Sequence, residues 1–243
     1  MTSDPIALLE RAPSRAMAIG AHPDDAELHA GGTLARWIAE GCEVTVVVCT
    51  NGAAGSPQAD ASPATVAATR RAEQQAAARE MGASRVEMLS YPDGALADTP
   101  EFRGKLVKLI RRYEPHVVLT HDARTRDRFV HRDHRITGAV VEDAIFPYAR
   151  DPLHYSEHLR QGLQPHKVAE LLLWDSDAPN VYVDVSEWID AQARALQEHA
   201  GQLAGIFGEN AILSDQLRLR ASETARHCDC DFAEAFRRLE APR

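Results

Sequence analysis

Residues 15–34 read RAMAIGAHPDDAELHAGGTL, and their reading decides the fold. Ala16-Met17-Ala18-Ile19 is a short apolar run of the kind that forms a buried strand, and it stops at Gly20. After Pro23 the spacing changes, with Leu28, Leu34, Trp37 and Ile38 in a helical pattern. His22, Asp24 and Asp25 therefore stand where a strand gives way to a helix. In open α/β sheets ligands bind at such places, outside the carboxyl ends of the strands. His22 and Asp25 offer a borderline-soft nitrogen and a hard oxygen, both suited to a divalent metal such as zinc, and Asp24 between them can serve as a base. A single aspartate here would need no role beyond capping the helix after a proline turn. Three ionisable groups in four positions argue for a site.

Working outward, Glu43-Val44-Thr45-Val46-Val47-Val48-Cys49 is a β-branched run that predicts a second buried strand. Further strands are expected over Val86–Leu89, His116–Thr120, Val168–Trp174 and Val181–Val185. Helices are expected over residues 65–82, 100–113, 133–145, 186–199 and 231–239, with 147–167 irregular. The alternation predicts one α/β domain over residues 1–243 with a mainly parallel sheet. The small, polar loop 51–64 falls at the same sheet edge as His22, where it can close over a substrate.

Composition narrows the function. A net charge of −9 argues against a general nucleic-acid binder, which needs a basic face to displace counterions. No apolar stretch approaches the ~20 residues of a membrane span and no signal-peptide pattern opens the chain, so a cytoplasmic protein is expected. Cys42 and Cys49 fall in or beside a strand pattern and are expected to be reduced core residues. Cys228 and Cys230, in His227-Cys228-Asp229-Cys230, are expected to form a plain turn, since one Cys-x-Cys without a distant partner pair is a weak metal motif.

Two ligands do not make a useful hydrolytic metal site. His131-Arg132-Asp133-His134, after the fourth strand, supplies a third from another strand end. One of its histidines would ligate while the other points at the substrate carbonyl.

With both motifs in place, Ala21-His22-Pro23-Asp24-Asp25-Ala26-Glu27 followed by Gly31-Gly32-Thr33 resembles the signature of PIG-L/LmbE-like N-acetylglucosaminyl deacetylases. The similarity continues through Arg70-x-x-Glu73, Pro92-Asp93-Gly94, Thr120-His121, His131-x-x-His134 and Asp231-Phe232-Ala233-Glu234-Ala235-Phe236, nearly the whole chain. Ala26 makes it look like the branch that contains bacillithiol-pathway deacetylases. The resemblance implies a Rossmann-like three-layer α/β fold and a zinc-dependent amidohydrolase, with iron(II) as the alternative ion in the cell. By position His22, Asp25 and His134 would be the metal ligands and Asp24 the general base. His131 would stabilise the oxyanion with Asp133 orienting it, while Arg70 and Asp93 would contact the sugar. The partner implied is a small N-acetylated sugar, and relatives suggest a homo-oligomer.

Two positions depart from the family pattern. Arg132 stands where proline usually follows the first histidine, and Gln192 where lysine is common. Arg124, Arg126, Arg128 and Arg132 make the preceding loop basic, which would suit an anionic aglycone. A zinc amidase acting on a thiol conjugate or antibiotic intermediate is the nearest rival reading. A non-catalytic sugar- or metal-binding protein has no use for Asp24, and a dinucleotide oxidoreductase would need Gly-x-Gly-x-x-Gly where His-Pro-Asp-Asp stands.

Overall fold

The computed structural model of the chain describes residues 7–56, 58, 60–124, 128–208 and 212–242. Its strands are β1 (Ala7–Leu8), β2 (Arg15–Gly20), β3 (Glu43–Thr50), β4 (Arg85–Tyr91), β5 (Val117–His121), β6 (Glu170–Trp174), β7 (Val181–Asp184) and β8 (Ala233–Glu240). They form one sheet in the order β1-β7-β8-β6-β5-β2-β3-β4. All pairings are parallel except those of β8, which runs antiparallel between β6 and β7. The helices are α1 (Asp25–Ala39), α2 (Pro63–Met81), α3 (Pro100–Tyr113), α4 (Arg132–Asp143), α5 (Glu157–Arg160), α6 (Ile189–Gln197), α7 (Ala200–Phe207) and α8 (Leu213–Ala225).

Side chains alternate across the pleat, so each central strand feeds two cores. Ala16, Ala18, Val44, Val46 and Val48 join Leu34 and Trp37 of α1 on one face. Met17, Ile19, Val47 and Cys49 join Phe102 and Leu106 of α3 and Val140 of α4 on the other. Three layers result, as expected. The chain runs β2-β3-β4 toward one edge and then crosses to β5 on the other side of β2. The carboxyl ends of β2 and β5 thus flank the switch point where ligands bind in such sheets.

The C-terminal expectation is corrected: residues 231–239 do not form a helix but the strand β8. Ala, Glu, Arg and Leu favour helix locally, yet Phe236 enters one core and Leu239 packs against the other, a period of two. Two open strand edges, β6 and β7, supply the hydrogen bonds that override propensity. α7 and α8, the two-residue β1 and the short α5 were also not anticipated.

β8 also reaches α1. Glu234 accepts the Gly32 and Thr33 N–H groups at 2.9 and 2.8 Å, and Gln192 of α6 donates to the Glu27 carbonyl at 2.9 Å. A Cβ at Gly31 would sit 2.7 Å from Gln192 Cγ, and one at Gly32 2.8 Å from Val185 Cβ, so close approach explains both glycines.

On the opposite face buried Arg111 donates to the carbonyls of Tyr148, Ala149, Asp151, His154 and Tyr155. It organises the segment that follows α4. Arg111→Met leaves these acceptors without their donor and is expected to cost about 3 kcal/mol. Arg111→Lys should recover little of it, because a point charge cannot span the same carbonyls. Urea midpoints with an unchanged slope check this, and a loss below about 1 kcal/mol would contradict the assigned role.

Candidate active site

β2 ends at Gly20, where a Cβ would lie 2.8 Å from Asp25 Cβ. Glycine thus lets the chain fold back far enough for the His22 N–H to donate to Asp25 Oδ2 at 2.7 Å. Asp24 sits in the left-handed region at φ 98°, a strained conformation for a residue with a side chain. Its N–H donates to Gln74 Oε1 at 3.1 Å, and Gln74 Nε2 donates to Glu27 Oε1 at 2.7 Å. A main-chain N–H only donates, so Asp24 fixes which way the Gln74 amide faces. Glu27, Gln74 and His199 are fully buried, and His199 Nε2 lies 3.5 Å from Glu27 Oε2. This network holds the strained turn from behind.

The structure brings together the three residues expected as ligands. His22 Nδ1 lies 3.1 Å from His134 Nε2 and 3.8 Å from Asp25 Oδ2, and His134 Nε2 lies 3.4 Å from Asp25 Oδ1. Donors bonded tetrahedrally to zinc at about 2.0–2.1 Å stand about 3.3 Å apart, so the set fits such an ion. Burial pulls the His134 pKa below its ordinary value. Against the cost of burial, His134, His121 and His22 hold the Asp25 carboxyl well below the usual range.

His121 was quoted in the motif but given no role, and it belongs here. It ends β5 at the same edge, which is the signal that could have found it. Trp174 Nε1 donates to its Nδ1 at 3.0 Å, and its Nε2 lies 3.0 Å from Asp25 Oδ2. An indole only donates, so Nδ1 is an acceptor and Nε2 carries the proton toward Asp25, the nearer of its two contacts, with the Ala21 nitrogen at 3.3 Å. That tautomer makes His121 a donor to Asp25 and leaves the ligand place beside it to His134.

Asp93 Oδ1 lies 3.1 Å from His22 Nε2 and its Oδ2 accepts the Ala54 N–H at 3.0 Å. A carboxylate behind a ligating imidazole orients the ring and raises its basicity. Arg70 donates to Asp24 Oδ2 at 2.9 Å, to the Pro23 carbonyl at 2.5 Å and to the Gly52 carbonyl at 3.3 Å. Both residues line the cleft, and Arg70 Nε is buried without a hydrogen-bond partner. Burial and neighbouring Asp25 raise the Asp24 carboxyl to about 7, against the pull of Arg70.

Asp133 meets His131 through its main chain and not through its carboxylate. Its carboxylate accepts the Gly94 and Leu96 N–H groups at 2.7 and 3.3 Å and faces His22 Nε2 at 3.6 Å. The Asp133 main-chain N–H is what meets His131, donating to Nδ1 at 3.1 Å because His131 caps α4. His131 Nε2 therefore carries the proton in the neutral ring.

The site opens into a cleft of about 300 Å³ lined by His22, Asp24, Asp25 and His131, with Ala54 and Gly55 of the 51–64 loop at its edge. It shares His131, His134 and Ile206 with an adjoining cleft of about 840 Å³ walled by α8. The expected basic rim is not free. Arg124 pairs with Glu142, Arg128 with Asp175 at 2.8 Å, and Arg132 with the Leu96 carbonyl, while Arg126 lies outside the described residues. Of the four arginines, Arg124 and Arg128 thus meet carboxylates of neighbouring elements.

A mainly parallel sheet with a His/Asp cluster at its carboxyl edge, able to hold a metal beside a second buried aspartate, defines the class of protein. Residues 17–145 match the PIG-L model, GlcNAc-PI de-N-acetylase, and the chain belongs to this family. It is 32% identical to the 1D-myo-inositol 2-acetamido-2-deoxy-alpha-D-glucopyranoside deacetylase of Rhodococcus erythropolis, over 78% of this chain and 81% of that protein. The N,N'-diacetylchitobiose deacetylase of Pyrococcus horikoshii superposes with a TM-score of 0.86 at 27% identity, covering 93% of this chain and 84% of that one. The 4-carboxy-2-hydroxymuconate hydratase GalB of Pseudomonas putida shares the fold alone, with a TM-score of 0.78 at 21% identity over 95% and 98% of the two chains. Among the described residues no helix is long and apolar enough to cross a membrane.

Proposed function

We propose that this protein is a metal-dependent N-deacetylase that hydrolyses the acetamide of an N-acetylglucosamine-type sugar or glycoconjugate to the free amine and acetate. The observation that carries the reading is the convergence of His22 Nδ1, His134 Nε2 and the Asp25 carboxylate within 3.8 Å of one another, beside Asp24 in an open cleft. His22, Asp25 and His134 would hold zinc or iron(II). When bound, such an ion polarises the amide carbonyl and acidifies water.

The chain's own residues supply the rest. Asp24 Oδ2 is held by Arg70, and Oδ1 takes a proton from the attacking water and returns it to the departing amine nitrogen. His131 Nε2–H donates to the oxygen that gains charge as the carbonyl carbon turns tetrahedral. Asp93 and His121 keep His22 and Asp25 in place. The fold permits other chemistry, as the hydratase shows, so the reaction rests on these side chains.

The test is acetate release from N-acetylglucosamine, its disaccharide and its inositol glycoside, with free amine counted in parallel. Equal amounts of acetate and amine from at least one substrate, abolished by a chelator, are expected. Cleavage of a thiol-conjugate amide with no acetate from any sugar would instead favour the amidase reading.

A further inference from the structure

The turn between α8 and β8 reads His227-Cys228-Asp229-Cys230, and the proposed reaction does not use it. Its thiols face each other, with Cys228 Sγ 3.1 Å from Cys230 Sγ. Both residues are half-buried and both line a cleft of about 670 Å³ beside Arg36, Glu40, Asp184 and Trp188, so small solutes reach them. Arg36 and Glu40 stand near the far end of α1 from Asp25, which at 1.5 Å per residue separates the two sites by roughly 20 Å. Cys42 and Cys49 are by contrast buried, 5% and 0% exposed.

A metal reading fails here. Among the described residues, every group of three or more His, Cys, Asp or Glu donors converging within 4.8 Å lies at the other site. The His227 ring lies against Tyr182, with 5.9 Å between centroids. Two sulfurs with no third donor fall short of the three or four protein ligands of a zinc centre. Two thiols already in contact need only close to the bond length of about 2.05 Å to form a disulfide.

We propose that Cys228 and Cys230 form a redox-active dithiol that closes to an intrachain disulfide by exchange with a low-molecular-weight disulfide. The Cys228 thiolate attacks one sulfur of the small disulfide, forming a mixed disulfide and expelling one thiolate, which takes up the proton Cys228 has lost. Cys230 then loses its proton and attacks Cys228 Sγ. The Cys228–Cys230 bond forms, the second small thiolate leaves, and it takes up that proton. Two protein thiols lose two electrons, and the small disulfide gains them as two thiols. Burial and the neighbouring Cys228 push the Cys230 thiol up to about 12, which suits it to the second, resolving step rather than the first. The bond would stiffen the turn that joins α8, a wall of the larger cleft, to β8, whose Glu234 grips α1.

The test equilibrates the native protein in glutathione buffers from fully reduced to fully oxidised and reads intact mass and mapped peptides. The wild type should lose two hydrogens, with the bond mapped to Cys228–Cys230 and reversed by dithiothreitol. Cys230→Ser should stop at a single glutathione adduct on Cys228, and Cys228→Ser should form adduct about tenfold more slowly. Cys42 and Cys49 should stay unmodified. A wild type that remains reduced at the oxidised end, or that is modified at Cys42 and Cys49 equally fast, overturns the dithiol. Equal adduct rates in the two serine variants overturn the assigned order.

Discussion

Asp24→Asn is expected to lower kcat by about 10²–10⁴ while leaving the metal content and the fold unchanged. The substitution targets the proton-transfer role because asparagine keeps the shape and the hydrogen bonds of Asp24 and gives up only its charge opposite Arg70. Its side-chain oxygen still accepts from Arg70, and it is among the few residues that tolerate the left-handed conformation observed at φ 98°. The N–H bond to Gln74 is also kept. What is lost is the ability to take a proton from water. The wild type should in addition lose kcat/KM as pH falls and Asp24 becomes protonated. Burial sets its carboxyl at about 7, and a bound cation would draw it lower, so the acid limb belongs at or below neutrality. Asp24→Asn should have no such limb. Full activity in that variant, or an acid limb that persists in it, would rule out Asp24 as the base.

The second large effect is expected at His134. His134→Ala removes one of the three proposed protein donors, and the purified protein should then hold no stoichiometric zinc after dialysis against a chelator. Activity should fall to background. Wild type treated with the same chelator should regain activity when zinc or iron(II) is returned, and His134→Ala should not. His131→Ala is the internal comparison: in the proposed mechanism its ring donates to the substrate, so metal should be retained and turnover should fall by about 10²–10³. Stoichiometric zinc in His134→Ala would show that the ion is held elsewhere, the Asp25–His121 side being the first alternative. Loss of metal in His131→Ala would instead exchange the parts given to the two histidines.

Much of this site was legible from the chain because its two motifs are local. His22, Asp24 and Asp25 follow one strand and His131 and His134 follow another, and the topology brings both strand ends to one switch point. Partner relationships were less legible. Arg70 and Asp93 suggested sugar contacts, yet their polar atoms meet Asp24 and His22. Asp133 was expected to orient His131, and the contact between them is made by its main-chain N–H. Of the loop arginines that suggested an anionic substrate, Arg124 and Arg128 pair with Glu142 and Asp175, which no local pattern announces. In each case the neighbour that the side chain meets lies in another element or belongs to the backbone.

The sequence by itself determined the alternation of strands and helices, the parallel core and the donor types at the sheet edge. Those follow from periodicity and spacing, which are properties of short stretches of chain. Only the tertiary structure decided that residues 233–240 complete the sheet as an antiparallel strand, that Gln74 and Glu27 brace Asp24, and that His121 donates to Asp25. Hydrogen-bond direction and strand pairing depend on which groups meet across the fold. Local propensity carries no information about a partner 50 or 100 residues away.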